Sequence, residues 1–567
     1  MTEINTKLIP LATAMRDTFT RGYGARSFTH DLVAALVVSL VALPLSMALA
    51  IAVGLPPQHG IYTAIVAGIV TPLLGGSMTQ VSGPTAAFVV IVAPIVAEHG
   101  LRGLIIAEIM AGIMLVALAW ARLGRFITFV PYPVTTGFTA GIAVVLGTLS
   151  LNDLLGLGIE KLQGSYMDKL ALLAEHLPNL NLAETAVGLV SLLVMFNGRR
   201  LTRHVPSAIL GIVVGALLSF LLHRFGIEVA TIGTRFSYET ATGMAQGIPP
   251  FPPSIHWFGE NNFFAWPTHK ELQVLSMPAF VIAALAALES LLSATVADGL
   301  TRTKHDPNAE LAAIGIGNIL TGFASGVPAT GAIARTTTNI KSGAKSPLAS
   351  AMHAVLILLY VVSLAPIISY IPMAALAALL MLTAYNMSHY KQFYRMLHIA
   401  PRQDTIVLLT CFGLTVFIDM VAGVMVGILL AVLLFIQRIS SMTEVTIDDY
   451  TTPSNRALPA NVMVYRISGP LFFGTVERTL DRTAFLRSRI DTLILDMQQV
   501  PLVDITGMVG IKNLLLSDAL AGRRVIICAR PDIASKILQK LAGEPHTANV
   551  STAASVDEAL KTIASSA

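Results

Sequence analysis

Apolar stretches follow one another closely from residue 31 to residue 438 of the chain. A helix needs about 20 residues to cross a hydrocarbon core about 30 Å thick, so stretches of this size predict membrane-spanning segments. Two of them, 84–97 and 330–340, are too short to cross as one simple helix. The pattern predicts a polytopic α-helical membrane protein. Fourteen segments can be read, at 31–54, 60–76, 84–97, 102–120, 124–150, 185–199, 204–225, 273–299, 308–325, 330–340, 346–370, 371–386, 403–420 and 421–438.

Clusters of lysine and arginine follow the even-numbered segments. Because such residues collect on the cytoplasmic side of a membrane, this alternation predicts that both termini are cytoplasmic, including the polar lead-in at 1–30. The two longer loops, Asn152–Glu184 and Gly226–Glu271, then face outward. The clusters are Arg122 and Arg125; Arg199, Arg200 and Arg203; Arg302 and Lys304; Lys341 and Lys345; Lys391, Arg395 and Arg402; and Arg438.

The two short segments begin in similar ways. The third opens with Val81–Ala87 and the tenth with Pro328–Ala332, and both openings carry glycine and proline. Short, interrupted segments at matching places in two halves of a chain are a pointer to a transporter binding site. The two openings lie seven segments apart, and an odd number of segments per repeat inverts the second half relative to the first. We therefore predict two helix starts that meet near the middle of the membrane.

Arg335 lies just after the second of these openings, among small apolar residues. A charged side chain inside a membrane is costly, so it needs a partner or a water-filled cavity. A helix start also carries unpaired N–H groups and a partial positive charge, which attract anions. Arg335 together with a broken helix therefore indicates an anion site. The alternative is that Arg335 only holds the broken helix in place by binding backbone carbonyls.

Glu289 lies in the middle of the eighth segment, which is otherwise apolar. Intramembrane carboxylates commonly bind a proton or a cation, so Glu289 is a candidate coupling site. Ser293 is one helical turn further along and could add an oxygen ligand. The alternative is a structural hydrogen bond or an ion pair with Arg335.

The composition changes after Arg438. Residues 439–460 form a polar stretch that predicts a linker, and 461–567 alternate between short apolar runs and helical patterns, which predicts a small α/β domain. Asp504 precedes one of its helices, Ile505–Leu520, and would cap it. Thr506 in the first turn could accept a phosphate, although a plain capping turn explains the same residues.

Composition excludes several function classes. The chain is 54% hydrophobic and 12% charged, whereas charged residues make up about 25% of a soluble domain. There is no basic tract with interleaved aromatic residues, which argues against nucleic-acid binding. Cys411 and Cys528 lie far apart and predict neither a disulfide framework nor a metal site. No Walker loop or nucleophile–base pair is present, so the sequence predicts that the protein is not an enzyme.

Five stretches together resemble the SulP family of anion permeases, which includes the animal sulfate and chloride exchangers and prestin. They are Pro44–Ala50, Ser82–Ala86, Glu289–Leu292, Ala332–Arg335 and, in the C-terminal domain, Asp504–Gly507. The last of these is similar to a STAS domain. The resemblance implies fourteen segments in two inverted repeats of seven, at about 31–225 and 273–438, divided into a core and a gate domain, with a cytoplasmic STAS domain. It also implies a homodimer in the bacterial inner membrane and a cytoplasmic partner for the STAS domain.

The resemblance also implies site residues. Glu289, with Ser293, would hold the coupling ion, a proton or Na⁺, and no other cofactor is implied. Leu45 and Leu49 stand where the family often has a glutamine and an aromatic residue, which makes the site less polar. The anion would face Leu45, Leu49, Thr85, Ala86, Ala332, Ile333, Ala334 and Arg335.

Within the family the chain most resembles the four-carbon dicarboxylate transporters of enteric bacteria, in Gly83–Val90, Thr303–His305 and Asn386–Ser388. This implies proton-coupled symport of succinate, fumarate or aspartate by an elevator movement of the core domain. Sulfate uptake, sodium-coupled bicarbonate uptake and anion exchange remain alternatives. A channel, or a membrane sensor whose output is the STAS domain, is a less favoured alternative.

Overall fold

The structure is a computed structural model of the chain. It describes residues 11–125, 131–159, 162, 164–202, 205–240, 243–256, 265–448, 458–459, 461–480, 491–516, 523–541 and 549–566. The chain divides into two compact units, Met1–Ile428 and Leu429–Ala567. Seven helices in the described ranges are long and apolar enough to cross a membrane.

The first unit is helical, and its described residues also form four short strands, two of three residues and two of four. Its strands are β1 (Ser82–Pro84), β2 (Ser237–Thr240), β3 (Gly243–Gln246) and β4 (Ala329–Gly331). Its helices, the last of which continues into the second unit, are α1 (Thr13–Thr20), α2 (Ala25–Ala52), α3 (Pro57–Leu74), α4 (Val89–Trp120), α5 (Tyr132–Leu155), α6 (Tyr166–Glu175), α7 (Leu182–Leu201), α8 (Ser207–Arg224), α9 (Ile232–Arg235), α10 (His269–Thr301), α11 (Pro307–Phe323), α12 (Ile333–Lys341), α13 (Pro347–Ile368), α14 (Met373–Met387), α15 (Tyr390–Ile399), α16 (Arg402–Phe417) and α17 (Met420–Ser441).

The fourteen predicted segments are all present among these elements. The third begins with β1 and a 3-10 turn at Ala86–Phe88, and it continues into α4, where Gly100 (φ 65°, ψ −170°) breaks the helix and starts the fourth segment. The tenth consists of β4 and α12. The sequence did not predict that each short segment begins as a strand, nor that α15 lies between the twelfth and thirteenth segments.

The packing of the helices repeats with an offset of seven segments. Three contacts each have a counterpart seven segments away. The contact of α2 with α13 corresponds to that of α10 with α4. The contact of α3 with α13 corresponds to that of α11 with α4, and the contact of α5 with α16 corresponds to that of α14 with α7. Three further contacts join elements that are equivalent in the two halves, so the symmetry maps each contact onto itself. They are α3 with α11, α5 with α14, and β1 with β4. This is the pattern expected of two inverted repeats related by a twofold axis in the membrane plane.

Two groups of helices result. We call α2, α3, α4 and α10–α13 the core group, and α5, α7, α8, α14 and α16 the gate group. The gate group has its own apolar cluster, which includes Leu154, Met195, Ile212 and Leu379. The core group contains β1 and β4.

The first segment begins earlier than the sequence pattern predicted. Helix α2 starts at Ala25, not at 31, so part of the predicted lead-in is helical. Asp31 is buried within this helix. Its carboxylate accepts hydrogen bonds from Tyr23, from the backbone of Lys345 and from Ser346, which is why a polar residue lies inside the helix bundle. The fifth segment begins at Tyr132 and not at 124; residues 126–130 lie outside the described ranges.

The second unit contains an open five-stranded sheet with helices. Its strands, in sheet order, are β5 (Glu444–Asp448), β6 (Val462–Ser468), β7 (Thr492–Asp496), β8 (Arg524–Cys528) and β9 (Val550–Ala553). Strand β5 is antiparallel to β6, and the other pairs are parallel. The helices are α18 (Val476–Leu480), α19 (Ile505–Leu515), α20 (Pro531–Leu541) and α21 (Val556–Ser566).

The predicted linker at 439–460 is wrong in its first part. Helix α17 continues to Ser441, and Glu444–Asp448 forms β5. Strand β5 is at the edge of the sheet and its side chains are exposed or half-buried, so its composition is polar although it is a strand. The sequence pattern also predicts a helix at Thr479–Ser488, of which residues 481–488 lie outside the described ranges.

Candidate functional site

The two short segments meet through a small antiparallel ladder. Ser82 faces Gly331, Gly83 faces Thr330, and Pro84 faces Ala329. Every residue of both strands is buried. The sequence predicted that the two openings meet, and the ladder is the physical means: it holds two chain segments, far apart in sequence, side by side within the core group.

The outer edge of β4 is held by polar side chains that the sequence analysis did not single out. The side-chain amide of Asn318 donates to the carbonyl of Ala329 (3.0 Å) and its oxygen accepts from the N–H of Ala329 (2.8 Å). Ser290 accepts from the N–H of Gly331 (3.0 Å) and shares a hydrogen bond with Thr330 (2.8 Å). The signal in the sequence is Asn318 itself, an amide within an apolar segment, and the structure buries it completely.

Each strand leads directly into a helix start that has no side-chain cap. Thr85 is the cap residue of the 3-10 turn and Ala332 that of α12, and neither side chain accepts a hydrogen bond from the helix start. The first N–H groups of a helix have no partner inside the helix. The ladder therefore brings two sets of N–H groups, and two partial positive charges, to one place.

Arg335 adds a full positive charge beside these helix starts. Its side chain is only 3% exposed, and one of its terminal nitrogens, Nη2, donates to the carbonyl of Pro84. Its Nε and Nη1 have no hydrogen-bond partner among the described residues. The guanidinium lies against Gly83, where a Cβ atom would be 2.7 Å from Nη1. A contact with a backbone carbonyl, as in the alternative interpretation, is therefore present, but it uses only part of the hydrogen-bonding capacity of the guanidinium.

Glu289 lies close to the first of the two helix starts. Its side chain is half-buried on α10, and the hydroxyl of Thr85 donates to its Oε2 (2.9 Å). Glu289 interacts electrostatically with Arg335, but within the described residues the two form no ion pair at 4.0 Å or less. A carboxylate and a guanidinium thus flank the same helix start without neutralising each other by direct contact.

Ser293 is directed elsewhere. It is fully buried, and its hydroxyl shares a hydrogen bond with that of Thr336 on α12 (3.2 Å). Thr336 in turn accepts from the N–H of Val81 (3.0 Å), just before β1. Ser293 therefore connects α10 to both short segments, and its hydroxyl is engaged there.

Leu45 and Leu49 lie on α2, which packs against both β1 and α12. Leu49 is 3% exposed. Leu45 is half-buried and packs against the apolar cluster of the gate group. Leu45 therefore lies where the core group and the gate group meet, on the helix that packs against β1 and α12.

A buried carboxylate fixes the approach to β1. Glu310 on α11 is 2% exposed and accepts hydrogen bonds from the N–H groups of Gly76 (2.8 Å) and Ser77 (3.0 Å) and from the side chain of Gln80 (2.9 Å). Asp31 binds the chain after α12 in a similar way. The sequence pattern does not reveal the role of either residue, because a single carboxylate near a helix end is usually solvated.

In the second unit, Asp504 caps α19 as predicted, with its carboxylate accepting from the N–H of Gly507 (2.6 Å). Thr506 is exposed in the first turn of this helix. Its phosphorylation stays a prediction.

Comparisons with known proteins agree with this architecture. A model of the sulfate permease family matches residues 28–410, and a model of the STAS domain matches residues 455–559. The chain is 37% identical over 497 residues to the "Putative sulfate transporter YvdB" of Bacillus subtilis, covering 87% of this chain and 90% of that protein. It is 27% identical over 539 residues to the bicarbonate transporter BicA of Picosynechococcus, covering 91% of each.

Solved structures agree in fold. The transmembrane domain of a cyanobacterial bicarbonate transporter BicA matches with a TM-score of 0.60 and 26% identity, over 72% of this chain and 98% of that one. Murine Slc26a9, an anion transporter in the inward-facing state, matches with a TM-score of 0.82 and 18% identity, over 98% of this chain and 94% of that one. The family and these relatives are transporters and not enzymes, as the sequence predicted. The chain therefore belongs to the sulfate permease family of multi-pass membrane anion transporters, with a C-terminal STAS domain.

Proposed function

We propose that this protein is a secondary active transporter that takes up a small oxyanion, sulfate in the first place, together with a proton. The observation that carries the proposal is the β1–β4 ladder, which joins two uncapped helix starts beside Arg335 and Glu289. The anion would be held by the N–H groups of Ala86, Ile333 and Ala334 and attracted by Arg335.

The charges at the site support binding of an anion. Arg335 is buried, and its Nε and Nη1 find no partner in the described part of the chain; a buried cation without a full set of partners is costly unless an anion balances it. Helix N-termini add donors that need no side chain. A small anion at this place would be attracted by both helix starts and by Arg335.

Glu289 supports coupling to a proton. It hydrogen-bonds to Thr85, the residue before Ala86, whose N–H is one of those that would hold the anion. When ionised it repels a bound anion, and when protonated it does not. A proton on Glu289 therefore favours anion binding, and the two would move together. Na⁺ is less favoured because Ser293, the nearest additional oxygen ligand that we expected, is bonded to Thr336.

The relatives suggest the substrate. The B. subtilis relative is named a sulfate transporter, which favours sulfate for this chain. Bicarbonate is the second candidate, favoured by the similarity to BicA in both sequence and structure. Four-carbon dicarboxylates stay a prediction, since they rest only on the residue resemblance stated above. The elevator movement, the homodimer, the STAS-domain partner and the cytoplasmic position of the termini are likewise part of the proposal.

The test is uptake by purified protein in liposomes. Radiolabelled sulfate, bicarbonate and fumarate are each offered under an inward proton gradient, an inward sodium gradient and no gradient. We expect sulfate uptake to be stimulated by the proton gradient alone. Stimulation by sodium alone, or accumulation of none of the three anions, would refute the proposal.

Replacement of the carboxylate separates coupling from binding. In Glu289→Gln the side chain is permanently neutral but can still bond to Thr85. We expect exchange of labelled for unlabelled sulfate to persist, while stimulation by the proton gradient is lost. The matched control is Glu175→Gln, an exposed carboxylate on α6. If Glu289→Gln kept the proton-driven stimulation, Glu289 would not be the coupling site.

A further inference from the structure

A groove lies on the gate group, on the side of α5 between α14 and α16, and its residues have no part in the anion site. Two cavities form it, of about 860 and about 420 Å³, and they share Val144 and Ser388. Both volumes fall in the range of small-molecule sites. The larger cavity is bounded at one end by α15, and the smaller one continues along α5 as far as Leu151.

The floor and walls of the groove are apolar. Along α5 the floor consists of Ala140, Val144, Gly147 and Leu151, which recur at the spacing of one helical face. From Ala140 to Leu151 this face is about 16 Å long at 1.5 Å per residue. The walls are aromatic: Phe196 packs edge-on against Tyr385 (5.1 Å between ring centres), and Phe393 packs against Phe412 (5.3 Å).

The end of the groove at α15 is basic. Lys391, Arg395 and His398 all line the larger cavity, and their spacing places them on one face of α15. Helix α15 contains no acidic residue. Both Lys391 and Arg395 are exposed, and neither forms an ion pair with an acidic residue in the described part of the chain. Tyr390 and Tyr394 lie beside them, as aromatic residues do at the membrane surface.

An apolar groove with a basic end has the chemistry of a site for one molecule with an apolar tail and an anionic head. Helix α15 is short and two-sided, and it follows directly on α14, the twelfth apolar segment, so we expect it to lie at the interface between headgroups and acyl chains. His389, with a left-handed φ of 40°, turns the chain sharply between α14 and α15. The turn keeps the basic face of α15 over the end of the groove.

We propose that this groove binds an anionic phospholipid. Its acyl chain lies along Ala140, Val144 and Leu151, and its phosphate lies at Lys391 and Arg395. The lipid belongs to the leaflet in which α15 lies. It would fill the side of the gate group, and it would thereby keep α5 and α14 fixed while the core group moves.

Native mass spectrometry of the purified full-length protein tests this, with phosphatidylglycerol and phosphatidylcholine of the same chain length added in equal amounts. We expect the wild-type protein to retain phosphatidylglycerol preferentially. In Lys391→Gln/Arg395→Gln this preference should fall roughly thirtyfold, because each basic residue near the headgroup contributes about a factor of five. The control, Arg26→Gln/Lys304→Gln, removes two exposed charges outside the groove and should keep the preference.

A second variant tests the apolar part without changing charge. Val144 is 38% exposed to the groove, so Val144→Phe fills it without a clash in the protein interior. We expect this variant to lose adducts of both lipids. Unchanged preference in the double variant, or unchanged adducts in Val144→Phe, would overturn the proposal. So would efficient cross-linking of Val144→Cys between two copies in native membranes, since the groove would then be covered by a second copy of the chain.

Discussion

Replacing Gly83 by alanine should displace Arg335 without unfolding the protein. Gly83 has φ 150°, and a Cβ atom there would lie 2.7 Å from Nη1 and 3.3 Å from Nη2 of Arg335. The atoms it meets are the far end of a flexible side chain and not backbone. The guanidinium should therefore move away from β1 and lose its hydrogen bond to Pro84, while β1 stays paired with β4.

The expected losses of stability and of anion affinity in Gly83→Ala follow from two energies. The backbone conformation costs an alanine about 1–3 kcal/mol, because it is strained for any residue with a Cβ atom. The charge-assisted contact that the displaced guanidinium would no longer make with the anion is worth about 1.5–3 kcal/mol, as for hydrogen bonds to charged groups. The first energy lowers stability, and the second weakens anion binding by roughly 10- to 100-fold.

Uptake kinetics in liposomes measure the loss of anion affinity. We expect Gly83→Ala to raise the KM for sulfate by that factor. The matched control is Gly54→Ala: Gly54 also has a positive φ (84°), but nothing lies within 4 Å of its Cβ position. Gly54→Ala should therefore lose a similar amount of thermal stability and keep the wild-type KM.

A double variant shows whether the effect acts through Arg335. If it does, Gly83→Ala adds little to the loss of affinity already caused by Arg335→Ala, because the group that the methyl displaces is gone. A wild-type KM in Gly83→Ala, or full additivity with Arg335→Ala, would refute the reasoning.

Three further predictions concern the contacts that hold the site and the N-terminal region. Glu310→Gln weakens the hydrogen bonds from the N–H groups of the chain before β1, so we expect a loss of about 1.5–3 kcal/mol in the free energy of unfolding, seen as a lower Tm; an unchanged Tm would contradict this. Ser290→Ala removes the bonds to Thr330 and Gly331 and should reduce sulfate uptake, whereas the exposed Ser276→Ala should not; equal uptake by the two would contradict it. Burial and the hydrogen bond to Asp31 raise the pKa of the Tyr23 hydroxyl from 10.0 to about 12, so its contribution to stability is complete below pH 10 and is lost as the pH rises to 12. Between these pH values the Tm of the wild type should fall more steeply than that of Tyr23→Phe, and parallel curves would contradict it.

The segment count could be predicted from sequence because the apolar stretches are separated by basic clusters at regular positions. The meeting of the two short segments could be predicted from their similar openings. Both inferences depend on local composition and on a symmetry that is visible in one dimension. The predicted helix ends were less accurate where a buried polar residue, such as Asp31, continues a helix beyond the apolar stretch.

The contacts that shape the site could not be predicted from sequence. The strand character of Ser82–Pro84 and Ala329–Gly331 depends on a partner more than 240 residues away, and three residues with glycine or proline have no strand pattern of their own. The roles of Asn318 and Glu310 likewise depend on backbone groups brought near by the fold. Ser293 was expected beside Glu289 because of helical spacing, but its hydroxyl is bonded to α12.

The position of the bound anion tests the central claim most directly. Cryo-electron microscopy of the protein in lipid nanodiscs, with and without saturating sulfate, would locate it. Our account predicts sulfate-dependent density at hydrogen-bonding distance, about 3 Å, from the N–H groups of Ala86 and Ala334, and its loss in Arg335→Ala. Sulfate-dependent density elsewhere in the membrane domain, with none between the two helix starts, would contradict the account.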